Sequence, residues 1–361
     1  KLWLAEGSMK KDTEEYIGFT DNLLCVAEHT CGMDTKPHFA DYENYLKPDF
    51  QKARKRDKIF IKHPFRDFPY NILNIINKIR FKRAYSIIEK SWQEQREYLD
   101  KAVSFLDASH KMQAEKALAK LLPEKAVAFD KAEKFDGSVN AFGFELELNS
   151  FGGIGKFALN GQNIVEANNK PFFEYRSYTS KDYDYWFKHY SRNMDKNGVW
   201  AYPDFGRPLL KYADGKYPQG SFYYKMTDAF VSKEENAVKV LANLKCDKAV
   251  CEKAGAPRRV QVIYTLRNDG LKFDVLWLGK DANRTTEALF LHLYPAFNEM
   301  SLTKLGSKID YNNVVSMGGK KLHAVEKCIF ENPSGAFSIL NYHSPLLSLG
   351  QGKILEYDNK I

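Results

Sequence analysis

A chain of 361 residues, 44% apolar and 14% aromatic, is long enough to bury a substantial core and to hold two structural units. Its net charge of +8 is spread along the chain, and the densest basic run, 52–63, reads as a solvated segment without a nucleic-acid-binding motif, so no nucleic-acid partner is expected. No run of about 18 apolar residues exists to span a membrane, and five scattered cysteines exclude a disulfide framework, leaving at most a Cys246–Cys251 loop clip in an oxidising compartment.

The first residues, KLWLAEGSMKKDTEEY, have neither an initiating Met nor the basic-then-apolar pattern of a secretion signal. The expectation is a chain shortened upstream. That leaves its compartment open: cytoplasmic, or periplasmic or secreted if a signal was lost. Helical spacing follows at 14–29, where Tyr16, Phe19, Leu23 and Val26 share a stripe. A loop with Gly32, Pro37 and Pro48 comes next. Residues 72–109 contain no Gly or Pro and line up Ile72, Ile75, Ile76, Ile79, Trp92, Leu99, Val103 and Leu106, which predicts one long helix. A shorter helix over 110–122 stops at Pro123. Residues 1–135 therefore predict a small helical bundle.

From Val139 the period changes to two, and 139–361 predicts a β domain. FGFELELN (142–149) and IGKFALNG (154–161) form a hairpin across Ser150–Gly153. The aromatic, polar stretch 171–208 alternates weakly and predicts loops or an excursion over the sandwich. Strands resume at 221–234 and 236–245. VQVIYTLR (260–267), LKFDVLWL (271–278) and ALFLHLYP (288–295) predict an antiparallel meander, its first reversal at Asn268-Asp269-Gly270. Further strands are expected at 314–319, 320–332 and 336–343. The expected class is α+β with more than one domain: a helical bundle followed by a large antiparallel β-sandwich.

The densest group of ligand-type side chains lies at 27–43, with Glu28, His29, Cys31, Asp34, His38 and Asp41. His29 follows a predicted helix that Gly32 breaks. That puts its imidazole at a helix C-terminus, a workable position for a metal ligand or a proton carrier, or simply for a hydrogen-bonded surface histidine. Asp182, Asp184 and Trp186, with Tyr183 and Tyr185, could line a sugar groove or pack as an ordinary capped segment. Glu145 and Glu147 share a strand face and read as solvent-facing alternation, since paired glycosidase carboxylates must stand across a sugar from each other. There is no GxSxG, Walker A or dinucleotide fingerprint. Asn283-Arg284-Thr285 is a glycosylation sequon.

AEHTCGMDTK (27–36) is similar to an EHTWGxDxK-type motif, and SWQEQREYLDKAV (91–103) resembles the helix that follows it in the same family. Residues 271–297 and 309–325 resemble its later β segments. In this order they resemble a family related to glycoside hydrolase family 38, the α-mannosidases, over most of the chain. Cys31 stands where that family usually has Trp. The resemblance implies an N-terminal α/β barrel, a helical bundle and a galactose mutarotase-like β-supersandwich. It also implies one zinc ion held by an early His-x-Asp pair, a nucleophilic Asp and a later His, for which His29 is the matching position. No barrel-type alternation, early His-x-Asp or nucleophile precedes residue 27, and the final residues are expected to stop before the sandwich closes. The chain thus resembles the bundle and sandwich part, with the barrel as its missing partner, and by itself is expected to show no turnover.

The function this implies is the C-terminal portion of a retaining glycoside hydrolase acting on α-linked, mannoside-like sugars. Its catalytic residues are unknown. Glu28, Asp34, Asp184 and Trp186 are the candidates for substrate contact, and Glu28 or Asp34 for fixing the His29 tautomer. The alternative is a non-catalytic carbohydrate-binding or structural β-sandwich module. A third reading is a sugar epimerase with His292 or His323 facing a carboxylate.

Overall fold

Short polar residues cap two of the N-terminal helices. The computed structural model describes residues 1–27, 32–39, 41–59, 62, 83–122, 125–191, 193–297, 299–311, 322–332, 335–344 and 346–350. It divides into two compact units, 1–44 with 51–125, and 45–50 with 126–361. The helices of the first 125 residues are α1 (Leu2–Ala5), α2 (Glu14–Val26), α3 (Thr35–His38), α4 (Lys47–Arg56), α5 (Tyr85–Ser104) and α6 (Ala108–Ala119). Thr13 caps α2 by accepting from the Tyr16 N–H at 3.2 Å, and Glu14 and Glu15 sit favourably in its first turn. At the other end, Gln95 of α5 donates to the Cys25 carbonyl at 2.5 Å. Gly18 permits the close approach of the two segments, because a Cβ there would lie 2.2 Å from the Phe105 ring. The buried Asp41 carboxylate accepts from the Asn44 N–H and side-chain amide and from the Tyr85 hydroxyl.

The long helix expected over 72–109 ends at Ser104, and its start, 72–82, lies outside the described residues. Asp107 accounts for the break. Its carboxylate caps α6 by accepting from the His110 N–H at 2.8 Å, while its own N–H donates to Glu15 of α2 at 2.9 Å. A side chain able to cap a new helix thus outcompetes continuation of the old one. Asp107→Ala should destabilise this unit by about 1 kcal/mol, with Asp107→Ser recovering most of the loss, as read from the urea midpoint. An unchanged midpoint would contradict this account of the break.

The second unit starts at Ala126, ahead of the change of period at Val139, because the Val127 backbone pairs both ways with the Gln261 side chain. Its strands, in chain order, begin with β1 (Glu133–Lys134), β2 (Ser138–Ala141), β3 (Phe144–Leu148), β4 (Ile154–Leu159), β5 (Gln162–Glu166) and β6 (Phe173–Ser177). β7 (Gly220–Tyr223), β8 (Lys225–Glu234), β9 (Ala237–Lys245), β10 (Arg259–Arg267), β11 (Gly270–Leu278) and β12 (Glu287–Leu291) follow. The chain continues with β13 (Glu299–Lys304), β14 (Ser307–Ile309), β15 (Leu322–Ala324), β16 (Lys327–Asn332), β17 (Gly335–Leu340) and β18 (Leu346–Ser348). The sheets run β1-β8-β9-β10-β11, β2-β3-β4-β5, β12-β6-β7, β14-β13-β16-β17 and β15-β18. Every strand pairing among the described residues is antiparallel. The class is α+β, with helices concentrated in the first unit. The strand expected at 314–319 lies outside the described residues.

β10 is buried on both faces, and Val262, Tyr264 and Leu266 join Leu146, Phe173, Tyr175, Val240 and Leu244 in one apolar cluster shared by three sheets. β10 and β11 pair through a two-residue turn, Arg267 opposite Gly270, whose φ is +136°. The third run departs from the expected meander. β12 pairs with β6 rather than with β11. Glu287 at its start explains the choice, since its carboxylate is bound by Tyr175 of β6 at 2.8 Å and by Asn283 at 2.8 Å. The stretch 171–208 also differs from the loops expected, holding β6, α7 (Ser180–Tyr190) and α8 (Met194–Phe205). A capping box, Thr179 with Asp182, starts α7. The run 221–234 is two strands in different sheets, divided at the fully buried Tyr224, which donates to the Pro257 carbonyl at 2.5 Å.

Candidate ligand-binding face

The three-stranded sheet carries an unusual burial pattern. Its register sets Phe290, Glu174 and Tyr223 in one row and Ala288, Arg176 and Ser221 in the next. Alternation along FFEYRS (172–177) sends Phe173, Tyr175 and Ser177 one way, and Glu174 and Arg176 the other. Glu174 and Arg176 thus share a face with Phe290, Ser221 and Tyr223, and with His292, whose N–H extends the pairing to the Phe172 carbonyl at 2.8 Å.

The Glu174 side chain has no exposed surface, a costly place for a carboxylate unless both oxygens are partnered. They are. Arg176 Nε donates to Oε1 at 2.7 Å, and His292 Nε2 donates to Oε2 at 2.7 Å. Burial alone would raise the Glu174 pKa, but the hydrogen bonds from His292 and Ser221 and the charge of Arg176 outweigh it and hold the carboxyl below its ordinary range. An ionised carboxylate only accepts, so Nε2 carries the proton and Nδ1 is the ring nitrogen left for a ligand.

Aromatic rings frame this imidazole. Tyr223 meets it edge-on at 6.4 Å, Phe290 lies at 6.2 Å, and Tyr294 is nearly parallel at 6.4 Å. Tyr223 is 41% exposed, large for a ring on a sheet face. Beside His292 is a small pocket whose lining includes Asn149, Gly153, Lys170, Pro171, Phe172, His292 and Tyr294. The Tyr294 hydroxyl donates to the Pro171 carbonyl at 2.9 Å, and Lys170 Nζ lies 4.8 Å from the centre of the Tyr294 ring. Asn149 is occupied by the backbone: its amide donates to the Ala167 and Lys170 carbonyls, and its oxygen accepts from Phe151. On the core side, Tyr175 donates to the Ala254 carbonyl at 2.7 Å, and Glu287 is also paired with Lys280 at 2.7 Å. Burial, then the Glu287 charge, pushes the Tyr175 hydroxyl far up, so it remains a donor.

Most side chains that sequence pattern nominated are elsewhere. Glu28, His29 and Cys31 lie outside the described residues, just beyond the end of α2. Asp34 is exposed immediately before α3. Asp184 and Trp186 are both on α7, but two positions apart on a helix is a rotation of about 200°, so they point to different sides. Trp186 packs against Tyr183 at 5.2 Å and the core, whereas Asp184 is exposed. Incomplete solvation, then the nearby Asp214, raises the Asp184 carboxyl above its ordinary range. The two therefore do not wall one groove. Glu145 pairs with Lys156 at 2.7 Å. His323 is buried within β15, in a sheet separate from Glu174. Cys246 and Cys251 are free thiols in hydrogen-bonding contact, without the clip. The Asn283 amide of the sequon donates to the Ala254 carbonyl at 2.6 Å and to Glu287, bonds that a glycan would break.

Glu174 and Arg176 were missed by pattern reading, although two charges on one side of a strand whose other side is aromatic are a visible signal. For a metal, one group among the described residues brings a histidine and two carboxylates within 4.8 Å of one another: Glu15, Asp107 and His110. They are compatible with a metal site, although each ligand atom already has a protein partner. His110 Nδ1 is bound to Glu15 at 2.8 Å and Nε2 faces the Ser8 hydroxyl at 3.2 Å, the ring packs on Trp3, and Asp107 is committed to its cap. No helix among the described residues is long and apolar enough to cross a membrane. Residues 1–272 match the model of a family described as Domain of unknown function (DUF5054). No curated protein and no solved structure gives a match.

Proposed function

We propose that this chain, which belongs to the DUF5054 family, handles carbohydrate, and that the face around His292 is where its second unit holds a sugar. The observation that carries the reading is the buried Glu174 carboxylate locked between Arg176 and His292, opposite the exposed Tyr223 in the strand register. An exposed aromatic ring offers the apolar face of a pyranose a stacking surface. An imidazole held rigid by a buried carboxylate offers a directed hydrogen bond to a hydroxyl beside that ring. Glu174 positions; His292 and Tyr223 make contact.

In this reading the antiparallel sheets of the second unit are the layers of a mutarotase-like β-sandwich. A protein that joins them to a catalytic barrel hydrolyses an α-linked, mannoside-like sugar with retention. The zinc ion implied by the resemblance would be held with the help of His29 and would fix sugar hydroxyls. One observation favours a second reading, a sugar epimerase: Glu174 and His292 are a carboxylate and a histidine in direct contact. Both Glu174 oxygens are taken, however, which favours binding over proton transfer by this pair.

Calorimetric titration of the full chain with methyl α-mannoside tests the proposal. Saturable binding is expected, weakened roughly tenfold or more in both Tyr223→Ala and His292→Ala, as loss of a stacking ring or a directed hydrogen bond implies. Binding that neither substitution changes would place the sugar site elsewhere.

A further inference from the structure

We propose that Cys246 and Cys251 form a reversible oxidation site, a dithiol that hydrogen peroxide converts to a disulfide. Neither thiol lines the pocket at His292, so the site is independent of the carbohydrate reading. Local structure brings the two sulfurs together just after β9. Asp247 caps the helical turn 248–254. Its carboxylate accepts from the Ala249 N–H at 2.7 Å, and its carbonyl accepts from the Val250 and Cys251 N–H groups at 3.1 and 3.2 Å. Cys246 thus precedes the cap, and Cys251 is the fourth residue after it. Side chains at those two positions meet across a helix start and are ordinarily an apolar pair. Here both are free thiols in hydrogen-bonding contact.

Their surroundings give the two sulfurs different parts. Cys246 donates its S–H to Cys251, and this bond holds the Cys251 thiol below its ordinary value against burial and Asp247. The Arg258 and Lys47 charges act in the same direction. The same bond, with burial, pushes Cys246 far up, so it keeps its proton. Cys251 is therefore the nucleophile and Cys246 the resolving thiol. The Cys251 thiolate attacks one peroxide oxygen; an S–O bond forms, the O–O bond breaks, and hydroxide leaves with the proton Cys251 had shed, as water. Cys246 sulfur then attacks the resulting sulfenic acid. The S–S bond forms, the S–O bond breaks, and the Cys246 proton leaves with that oxygen as a second water. Two sulfurs have given the two electrons that the peroxide takes up. Cys251 is 5% exposed, which favours an oxidant this small. Cys328 supplies an internal control, because burial pushes its thiol up to about 11.

The test treats the reduced full chain with equimolar hydrogen peroxide at neutral pH and blocks the remaining thiols with iodoacetamide. Tryptic peptides are then read by mass without reductant. Lys248 lies between the two cysteines, so the disulfide should hold residues 246–248 and 249–253 together as one species. That species is expected, separated by dithiothreitol, with Cys328 unoxidised. In Cys246→Ser, which keeps a donor to Cys251, dimedone should trap the unresolved sulfenic acid on Cys251. In Cys251→Ser, Cys246 should oxidise at least roughly tenfold more slowly. Both thiols surviving peroxide, or a bridge from either to another cysteine instead, overturns the proposal in the unmutated chain. Equal oxidation of Cys246 with and without Cys251 overturns it as well.

Discussion

Glu174→Ala is expected to destabilise the second unit by about 3 kcal/mol and to abolish sugar binding together. The carboxylate is enclosed, and its removal leaves the Arg176 charge without its counterion and His292 without the acceptor that orients it. Loss of one member of a buried ion pair costs about 3–5 kcal/mol. Arg176 is 17% exposed and can recruit water, which puts the expected cost at the low end. The pH dependence has a definite sign. Glu174 is held below its ordinary value of 4.5 in the folded state, so its contribution is complete above that value and is lost as pH falls through the lower, folded one. The stability gap between the parent and Glu174→Ala should therefore be constant near neutrality and narrow below pH 4.5. Urea midpoints measured across that range would show it, and a gap that widens on acidification would contradict the assignment of Glu174 as a stabilised carboxylate.

Tyr264→Ala should be costlier still, about 4 kcal/mol, as truncation of a large aromatic in a packed core implies. Tyr264 is fully buried on β10, its ring 6.4 Å from Phe172 and 6.2 Å from Phe273, and its hydroxyl donates to the Gly152 carbonyl at 2.8 Å. Tyr264→Phe keeps the ring and removes the donor, so it should cost about 1–2 kcal/mol for one unsatisfied buried carbonyl. The difference between the two separates packing from hydrogen bonding. Gly152 belongs to the turn that ends at Gly153, where a Cβ would come within 2.4 Å of Phe172, which also lines the pocket. Tyr264→Phe is accordingly expected to loosen the turn and weaken sugar binding slightly. Equal losses for both substitutions would mean that the ring, despite its burial, contributes little.

Element type was legible wherever period and turn chemistry agreed, as in VQVIYTLR and LKFDVLWL around Asn268-Asp269-Gly270, which form the β10–β11 hairpin. Partnering was not. Periodicity says which face of a strand is apolar but not which strand lies beside it, and β12 follows the Glu287–Tyr175 contact to β6. In α7 the Thr179 and Asp182 capping box is readable from spacing, but the aromatic run after it does not itself distinguish helix from loop. The long helix broke at Asp107 because Glu15, far away in sequence, receives its N–H. The candidate face was illegible for a similar reason. Glu174 and His292 are 118 residues apart, and only the β6–β12 register brings them together. A strand such as FFEYRS announces a polar face without saying what closes over it.

The most direct measurement of the central claim is imidazole NMR on the full chain, with histidine labelled at the ring nitrogens. The chain has eight histidines, and His292→Asn identifies the resonance in question. If the face around His292 holds a sugar, titration with the tightest-binding glycoside should shift the Nδ1 signal of His292, while Nε2 keeps the signature of a protonated nitrogen bound to Glu174. A titration in which binding saturates with the His292 signals unmoved would contradict the account.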